Sequence, residues 1–563
     1  MKRLTYLTAS LCLAGNITLT AQVWAAADTV FVSNHVLTMN ERSAEPMAVA
    51  VTADRISWIG AVDDYTGQID RKTEVVQLGE QALLPGFIDA HGHASFLALT
   101  TQLANISSPP VGPVETIADL QNQLRAYIDE RNLAPGDWVI SQGYDDSLLA
   151  ENRHPDRDDL DAVSTEHPIY LIHVSGHLGA ANSRALGRAG ISSESPNPSG
   201  GIIRRRPGTQ EPNGVLEESA SYPLRKYTNS VVKDPIGNVR AAMATYARNG
   251  ITTAQDGAAS KEVIDLMKAA DKAGQVDLDV VIYPAAQRDP EGMMAFAYGT
   301  YDGRVKIGGV KLMLDGSPQG KTAFMTEPYL HPPHGQDAEY RGYPAIPQVR
   351  VNDLVAKFGH AGIPMIAHTN GDAAADMLIT AVREANIQTD HRTVMIHAQT
   401  VREDQLTDMK TLGMIPSFFA AHSFYWGDWH RDSVFGETRA LRISPTASTM
   451  ARGMIFTVHN DAPIVPPDMI RLLWATTNRI TRSGKVLGKN QRISTYDALR
   501  AMTIFAAHQN FEESDKGSIE VGKYADFAIL SENPLLLAPE DLLDLRVNAT
   551  YSHGVQVYDR KEP

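Results

Sequence analysis

The feature that most constrains this chain is an apolar run that ends in Pro-Gly and then delivers two histidines: Leu84-Pro85-Gly86-Phe87-Ile88-Asp89-Ala90-His91-Gly92-His93. Residues i and i+2 of a β-strand share one face and lie about 7 Å apart along it, so both imidazoles can reach one metal ion. Two histidines at a strand end can also be ordinary solvated or hydrogen-bonded side chains. The rest of the chain therefore has to decide between these two interpretations.

The middle of the chain alternates strand-like and helix-like segments, which is typical of a parallel α/β architecture. Helical stretches such as Val263 to Ala273, Ala373 to Ala385 and Pro466 to Arg479 separate the strands. Eight strands separated by helices predict a (β/α)8 barrel of the TIM type. The candidate strands are Ala82 to Asp89, Ile251 to Asp256, Leu278 to Tyr283, Val305 to Leu314, Ile363 to His368, Thr393 to His397, Met414 to Phe418 and Gly453 to His459.

Both ends of the chain have short alternating runs of β character, such as Val30-Phe31-Val32 and Ala525-Asp526-Phe527-Ala528-Ile529-Leu530. We expect these ends to pair into a small β-sandwich domain formed by residues 28–82 and 510–563. Residues 83–509 then form the barrel, with a turn-rich subdomain of about residues 109–230 inserted after its first strand.

The N-terminus has the features of a secretory signal peptide. Lys2 and Arg3 precede an apolar stretch, and small residues follow it up to Ala27, so residues 1–27 are predicted to be cleaved and the mature protein to be periplasmic or secreted. A transmembrane anchor is the alternative, weakened by the polar residues inside the stretch. Cys12, the only cysteine, lies in this segment, so the mature chain offers no thiolate to a metal.

The formal charge of −15 and the absence of any basic run argue against a nucleic acid or an anionic membrane as partner. The expected partner is a small-molecule substrate. The sequence leaves homodimerisation open.

Residues of the metal-ligating kind lie at the carboxyl ends of five predicted strands, which is where barrels of this type form their active sites. Such a residue on one strand would normally be structural, but six on five strands are hard to explain by chance. They are His91, His93, Lys311, His368, His397 and Asp461.

The chain from about Asp28 onwards resembles the amidohydrolase superfamily, in the branch of the N-substituted formamide deformylases. The resemblance rests on the stretches Pro85 to His93, Gly250 to Asp256, Val310 to Ser317, His368-Thr369-Asn370-Gly371-Asp372, His397-Ala398-Gln399 and Asp461-Ala462-Pro463. Ile396 stands where relatives often carry Glu. Ser317-Pro318-Gln319-Gly320 replaces their Ser-Leu-Gly.

The resemblance implies a site for two divalent metal ions. His91, His93 and Asp461 would hold the first, His368 and His397 the second, and Lys311 would bridge them as a carbamate made with CO2, since a carbamate offers the negative oxygens that an ammonium lacks. Histidine-rich ligation suits Zn2+, and also Mn2+ or Fe2+. Two simpler interpretations stay open: Lys311 as a core lysine paired with Asp315, and Asp461 as a helix N-cap.

Such a site predicts amide hydrolysis by a metal-activated hydroxide, with Asp461 passing the proton to the leaving amine. His177, in a Gly-His…Asn-Ser element similar to that of the same branch, is a candidate to polarise or orient the substrate. The aromatic loop from His422 to His430 either lines an apolar pocket or is an ordinary buried cluster. His422, His430 and His459 match no ligand position of the family.

The sequence thus predicts an exported metal-dependent amidohydrolase that cleaves the C–N bond of an amide, N-formyl or N-acyl compound. Hydrolysis of an ester, lactone or carbamate at the same site is the alternative within enzymes, because hydroxide does not distinguish acyl leaving groups. A non-catalytic binding or regulatory protein is the alternative from another class, and retention of all six candidate ligands argues against it.

Overall fold

The computed structural model of the protein describes residues 26–40, 44–333 and 335–561, so residues 1–25 of the predicted signal peptide lie outside the described residues. The described strands are β1 (Thr29–Leu37), β2 (Ala44–Thr52), β3 (Arg55–Ala61), β4 (Glu74–Pro85), β5 (Phe87–Ile88), β6 (Ala104–Asn105), β7 (Val139–Tyr144), β8 (Ile169–His173), β9 (Leu178–Ala181), β10 (Gly201–Arg205), β11 (Pro212–Glu218), β12 (Ile251–Ala259), β13 (Asp279–Pro284), β14 (Tyr301–Asp302), β15 (Val305–Ile307), β16 (Val310–Met313), β17 (Met365–Thr369), β18 (Val394–His397), β19 (Ile415–Phe418), β20 (Thr457–Val458), β21 (Phe527–Leu530), β22 (Val547–Ser552) and β23 (Val555–Asp559).

The α-helices of the same residues are α1 (Ala94–Thr100), α2 (Ile117–Glu130), α3 (Arg157–Asp161), α4 (Ser183–Ala189), α5 (Tyr222–Arg225), α6 (Pro235–Arg248), α7 (Lys261–Lys272), α8 (Pro290–Met293), α9 (Gln348–His360), α10 (Asp372–Ala385), α11 (Glu403–Thr411), α12 (His422–Tyr425), α13 (Gly427–Trp429), α14 (Glu437–Ala440), α15 (Thr446–Ala451), α16 (Met469–Asn478), α17 (Thr495–Ala501) and α18 (Ile504–Gln509). None of the described helices is both long and apolar enough to cross a membrane.

The alternation of strands and helices in the middle of the chain is confirmed, and with it the α/β class. The predicted strands form two five-stranded sheets, in the orders β14-β15-β13-β12-β5 and β16-β17-β18-β19-β20. Every pairing is parallel except the β14–β15 hairpin. The described ladders therefore form two sheets rather than one continuous closed ring.

Hydrogen bonds outside the ladders link the two sheets at both edges. The Ala286 N–H donates to the Lys311 carbonyl (3.0 Å) at one edge, and the Asp461 N–H donates to the His91 carbonyl (3.0 Å) at the other. Both links involve predicted site residues, so the edges at which the sheets meet also bring the strand ends together.

The predicted first strand, Ala82 to Asp89, is divided at Gly86. The Gly86 N–H donates to the Asp526 carbonyl (2.8 Å), whereas the Phe87 N–H donates to the Gly250 carbonyl (2.9 Å), so the chain changes partner sheets at this residue. A Cβ at Gly86 would lie 2.3 Å from the Thr252 side chain. Only glycine fits where the two sheets approach this closely.

The predicted fourth strand, Val305 to Leu314, is likewise divided at Gly308 and Gly309. The Gly308 N–H still donates to the Ile282 carbonyl of β13, but the Val310 N–H donates to the carbonyl of Pro364, just before β17. A Cβ at Gly309 would lie 2.2 Å from that same Pro364 oxygen. The chain thus leaves one five-stranded sheet and begins the other within two residues.

The two chain ends pair with each other, as the sequence predicted. They form one seven-stranded sheet in the order β23-β22-β21-β4-β1-β2-β3, in which Leu83 of β4 is opposite Ile529 of β21. Phe31 packs edge-on against Phe527 and Tyr551, with ring centroids 5.2 and 4.8 Å apart. The ladders place all seven strands in one sheet, so the two-layered sandwich stays a prediction, as do the domain boundaries.

A further six-stranded sheet, in the order β10-β11-β9-β8-β7-β6, occupies the region between the first two barrel-type strands. Five of its strands, β7 to β11, lie within the predicted insertion. Because β6 already begins at Ala104, this sheet starts a few residues before the predicted insertion. It brings His177 over the ends of the parallel strands.

Candidate metal centre and active site

All six predicted ligands converge on one region, and five of them lie where the parallel strands end; Lys311, predicted at a strand end, is instead the second residue of the four-residue strand β16. His91 and His93 follow β5, Lys311 lies in β16, and Asp461 follows β20. His368 is the last residue but one of β17, and His397 ends β18. All except His93 are buried, and the His93 side chain is 23% exposed because it faces a cavity.

The first group consists of His91, His93 and Asp461. Oδ1 of Asp461 lies 3.2 Å from Nε2 of His93 and 3.6 Å from Nε2 of His91. Two nitrogens bound tetrahedrally to one zinc at 2.0–2.1 Å lie about 3.3 Å apart. The spacing of these three donor atoms therefore suits a single ion.

In both His91 and His93, the second ring nitrogen, Nδ1, already has a hydrogen-bond partner. Nδ1 of His93 lies 2.6 Å from the Gly257 carbonyl, which can only accept, so this nitrogen carries the proton. Nδ1 of His91 lies 2.6 Å from Oε1 of Gln255, whose amide nitrogen donates to the Ala90 carbonyl (2.8 Å). In the neutral imidazoles both Nε2 lone pairs therefore face the Asp461 carboxylate.

Acceptor facing acceptor in a buried site is unfavourable unless a cation or a proton lies between them, and for Nε2 of His91 the Nζ atom of Lys311 at 3.0 Å is such a partner. Oδ1 of Asp461 has no hydrogen bond of acceptable geometry from any described residue. The residues around it thus fit a divalent cation, and His91, His93 and Asp461 are a candidate metal-binding group by the spacing of their donor atoms.

The second group consists of His368 and His397, whose Nδ1 and Nε2 atoms face each other at 3.0 Å. Nε2 of His368 lies 3.1 Å from both the Gly316 carbonyl and the side-chain amide nitrogen of Asn370, and the tautomer that donates to the carbonyl leaves Nδ1 with its lone pair. His397 has a positive φ of 72° at the end of β18, and Nδ1 of this residue lies 3.3 Å from Nε2 of His459. The two facing nitrogens can therefore be the free donors of a second ion.

Burial keeps His91, His368 and His397 in the neutral form that binds metals, whereas the hydrogen bond and charge of Asp461 raise the pKa of His93 against the effect of burial. Burial is the largest of the effects that lower the pKa of His91, His368 and His397 well below the ordinary value, and the charge of Lys311 adds to it at all three.

Lys311 lies between the two groups, with its Nζ atom 3.0 Å from Nε2 of His91. Burial lowers the pKa of this lysine to about 7, against a partial opposing effect of Asp461. Asp315, its alternative partner, instead accepts the backbone N–H groups of Phe324, Asn370 and Gly371. A buried amine that is neutral in part at pH 7 is the form that can react with CO2.

Asp461 is not the N-cap of the helix that follows it. That cap is Asp468, which accepts the Arg471 N–H at the start of α16. Asp461 instead has a positive φ of 59°, and its own N–H donates to the His91 carbonyl. The strained backbone aims its carboxylate at the two histidines.

His177 reaches the site from the six-stranded sheet. Its ring centroid lies 4.7 Å from that of His368, and its Nδ1 lies 2.8 Å from Oε2 of Glu218. Glu218 also accepts a hydrogen bond from the Thr322 hydroxyl (2.8 Å), and it has a positive φ of 46°. A carboxylate on Nδ1 leaves Nε2 of His177 as a free acceptor.

A cavity of about 250 Å3 opens beside these groups. The side chains that line it include His93, His177, Lys311, His368, Asp461 and, at the rim, Phe96, Tyr222, Arg225 and Ile464. A small molecule bound there would touch both histidine groups. The cavity is therefore the candidate active site.

The aromatic loop from His422 to His430 does not line this cavity. Nε1 of Trp426 donates to Asp145 (2.6 Å), and Nε1 of Trp429 donates to the Gln319 carbonyl (3.2 Å). Tyr425 and Trp426 line a separate small cavity. Of the two interpretations left open for this loop, the ordinary buried cluster is the one found.

The three histidines that match no ligand position of the family lie outside the cavity and contact residues around the site. Nδ1 of His459 lies 2.8 Å from the Ser417 hydroxyl, so its Nε2 supports His397 rather than facing the cavity. Nε2 of His422 lies 3.0 Å from the amide nitrogen of Gln319. Nδ1 of His430 lies 3.2 Å from the side-chain amide nitrogen of Gln399.

Sequence reasoning missed Gln255, Asp256 and Glu218. Gln255 and Asp256 are consecutive polar residues inside the apolar strand β12, and that break in apolar character was an available signal. Asp256 accepts the Ser95 N–H (2.8 Å), and burial raises its pKa to about 6. Glu218 had no such signal, because its partner His177 is 41 residues away along the chain.

Comparison with known proteins gives three findings. A family model described as "Amidohydrolase family" matches residues 74–558. The N-substituted formamide deformylase of Arthrobacter pascens is 27% identical over 95% of this chain and 98% of its own length, and protein LONG AFTER FAR-RED 3 of Arabidopsis thaliana is 25% identical over 96% and 93%. The crystal structure of an uncharacterized metal-dependent hydrolase from Pyrococcus horikoshii OT3 is similar in fold, with a TM-score of 0.70 and 21% identity over 91% of this chain and 99% of that one.

Proposed function

This chain belongs to the amidohydrolase family, and from that premise we propose that it is a metal-dependent hydrolase that cleaves the C–N bond of an amide, N-formyl or N-acyl compound. Family membership makes it an enzyme acting on carbon–nitrogen bonds other than peptide bonds. The observation that carries the proposal is the convergence of the His91 and His93 lone pairs on the buried Asp461 carboxylate. The relative from Arthrobacter pascens, named for deformylation of N-substituted formamides, supports an amide as substrate.

In this proposal His91, His93 and Asp461 would hold one divalent ion, and His368 and His397 would hold a second. Lys311, as a carbamate formed with CO2, would add a negatively charged oxygen donor to the site, for which its lowered pKa and its position beside His91 are the support. Ligands of nitrogen and oxygen without thiolate suit Zn2+, and Mn2+ or Fe2+ as well. Such ions supply Lewis acidity toward an acyl carbonyl and lower the pKa of water toward roughly 7.

The proton path is assigned to the chain's own residues. Asp461, whose Oδ1 faces His91 and His93, accepts the proton of the attacking water on Oδ2 and then gives it to the leaving amine. An amine needs this proton because it would otherwise leave as an amide anion. His177, held by Glu218 with Nε2 as an acceptor, orients the substrate from the opposite wall of the cavity.

The experiment is a screen of N-formyl and N-acyl compounds with metal-loaded protein, followed by amine release. We expect turnover with at least one class of amide and at least one equivalent of metal per chain. The variant His91→Gln should lose both metal and turnover. The matched control is His360→Gln, which lies outside the site and should keep both. Less than roughly half an equivalent of metal in active wild-type protein would contradict the proposal.

The same proposal treats the two five-stranded sheets as the halves of one (β/α)8 barrel, supported by the hydrogen bonds that join their edges. It also places the enzyme outside the cytoplasm, supported by the signal-peptide features of residues 1–27. N-terminal sequencing of protein recovered from the periplasm or medium should begin near Ala26 or Asp28. A chain that still began at Met1 would refute export by cleavage.

A further inference from the structure

The candidate active-site cavity continues into a larger groove. The groove has a volume of about 570 Å3, and it shares Ser95, Phe96 and Val263 with the cavity that contains the histidines. Helices α1 and α7 form two of its walls, and the start of α6 closes it. A molecule in the cavity can therefore extend into the groove without leaving the protein surface.

The groove is lined mainly by apolar side chains. Phe96, Leu99, Val263 and Leu266 are each only partly buried, with one side packed on the core and the other left to the groove, and the partly buried Val232 also lines it. Apolar surface kept open next to a polar reaction centre is a common feature of small-molecule sites.

The charge of the lining is also informative. Its only charged residue within the described chain is Glu262, which is exposed at the rim. A carboxylate-bearing group would be repelled there and would find no cation to pair with. An uncharged group fits.

The groove is directly connected to the proposed chemistry by the chain itself. Helix α1 begins at Ala94, immediately after His93, and Phe96 is three residues beyond that histidine. A group that contacts Phe96 is thus about one helical turn from a candidate metal-binding side chain.

We propose that this groove binds an uncharged apolar arm, alkyl or aryl, of the amide substrate, while the amide itself lies in the histidine-lined cavity. This inference rests on the proposed amide hydrolysis and names the class of substrate. Transfer of each methylene from water to the groove should raise kcat/KM about fourfold until the groove is filled. The arm can belong to the acyl part or to the amine part of the amide. Two series of substrates, one with acyl chains and one with N-alkyl chains of increasing length, distinguish these two positions.

The test compares N-acyl amides of one amine with acyl chains of two to eight carbons, and N-alkyl formamides of the same lengths, on metal-loaded protein. In wild type we expect kcat/KM to rise with length in at least one series. Leu266→Trp and Val232→Trp fill the groove from a helix and from a loop, so both should abolish the rise while the shortest substrate keeps its rate. Lys272→Trp, exposed on α7 outside the lining, is the matched control and should keep the rise.

The outcomes separate this inference from the proposed function. A flat dependence on length in both series, or a rise that survives in both groove variants, would overturn the groove as a substrate site. A change of oligomeric state in Leu266→Trp and Val232→Trp, measured by sedimentation, would assign the groove to a second copy of the chain and also overturn it. If no amide is hydrolysed, the proposed function fails, and calorimetric binding of the same compounds still tests the groove by its dependence on length.

Discussion

Replacement of Asp461 by Asn tests the proton path most directly. Asparagine keeps the shape and one oxygen for the first metal group, in which Oδ1 lies 3.2 Å from Nε2 of His93 and 3.6 Å from Nε2 of His91. It replaces Oδ2, which lies 4.0 Å from Nε2 of His397, by an amide group that cannot take up a proton. Metal content should largely survive, and turnover of an amide should fall by about 10²- to 10⁴-fold.

That loss corresponds to about 3–5 kcal/mol in the activation barrier. The assay follows amine release and hydrolysis of an activated ester in parallel, with metal content measured on the same samples. Because an activated leaving group departs without a proton, the ester rate should fall less than the amide rate. Asp256→Asn is the matched control: its oxygen can still accept the Ser95 N–H, so the loss should be less than about tenfold, the equivalent of one hydrogen bond.

An Asp461→Asn variant that hydrolysed an amide within about threefold of the wild-type rate would refute the reasoning. Asp461 would then be a ligand only, and the proton would have to pass through another group of the cavity. His177 would be the first candidate, because it lies on the opposite wall with its Nε2 free.

Three further results are expected. Lys311→Ala should lose metal and activity, and short carboxylic acids should partly restore both by occupying the place of the carbamate; an unmodified ammonium in a metal-loaded crystal structure would contradict this. Glu218→Gln should reduce turnover about 10- to 100-fold, the usual effect of a residue that orients a functional histidine, whereas unchanged kinetics would show that His177 needs no partner. Burial raises the pKa of Asp89 to about 7, so between about pH 4 and 7 the folded chain retains a proton that the unfolded chain releases, and raising the pH favours unfolding by up to about 1.4 kcal/mol per pH unit. The Tm advantage of metal-free Asp89→Asn over wild type should therefore grow from pH 5 to pH 8, and a constant difference would argue against the raised pKa.

The strand ends could be predicted from the sequence because a buried parallel strand is a short apolar run, and the residue at which the run stops marks the carboxyl end of the strand. The apolar runs before His368 and His397 are short and continuous, and the structure ends β17 and β18 within a residue of them. The changes of partner sheet at Gly86 and Gly308 could not be predicted. The apolar pattern of a strand does not depend on which sheet accepts its hydrogen bonds. The changes depend on Asp526 and Pro364, which are distant in sequence.

The partners in the supporting contacts of the site were beyond sequence reasoning for the same reason, although the polar character of Gln255 within β12 was itself a signal. Gln255 orients His91 across a separation of 164 residues, and Thr322 reaches Glu218 across 104. The strained backbones of Asp461 and His397 were equally hidden, because positive φ in a residue other than glycine leaves no compositional mark. Residue type identified the candidate donors, whereas their orientation depends on the completed fold.

The pairing of Leu83 with Ile529 has a consequence for how the enzyme is made. Strand β4, which leads through Gly86 to the first two histidines, acquires its neighbour β21 only when more than 440 further residues have been synthesised. Contacts this distant in sequence form late and slowly. A ribosome that stopped between Asp461 and Phe527 would therefore release a chain that carries every candidate ligand but lacks the strand that pairs with β4 on the side away from β1.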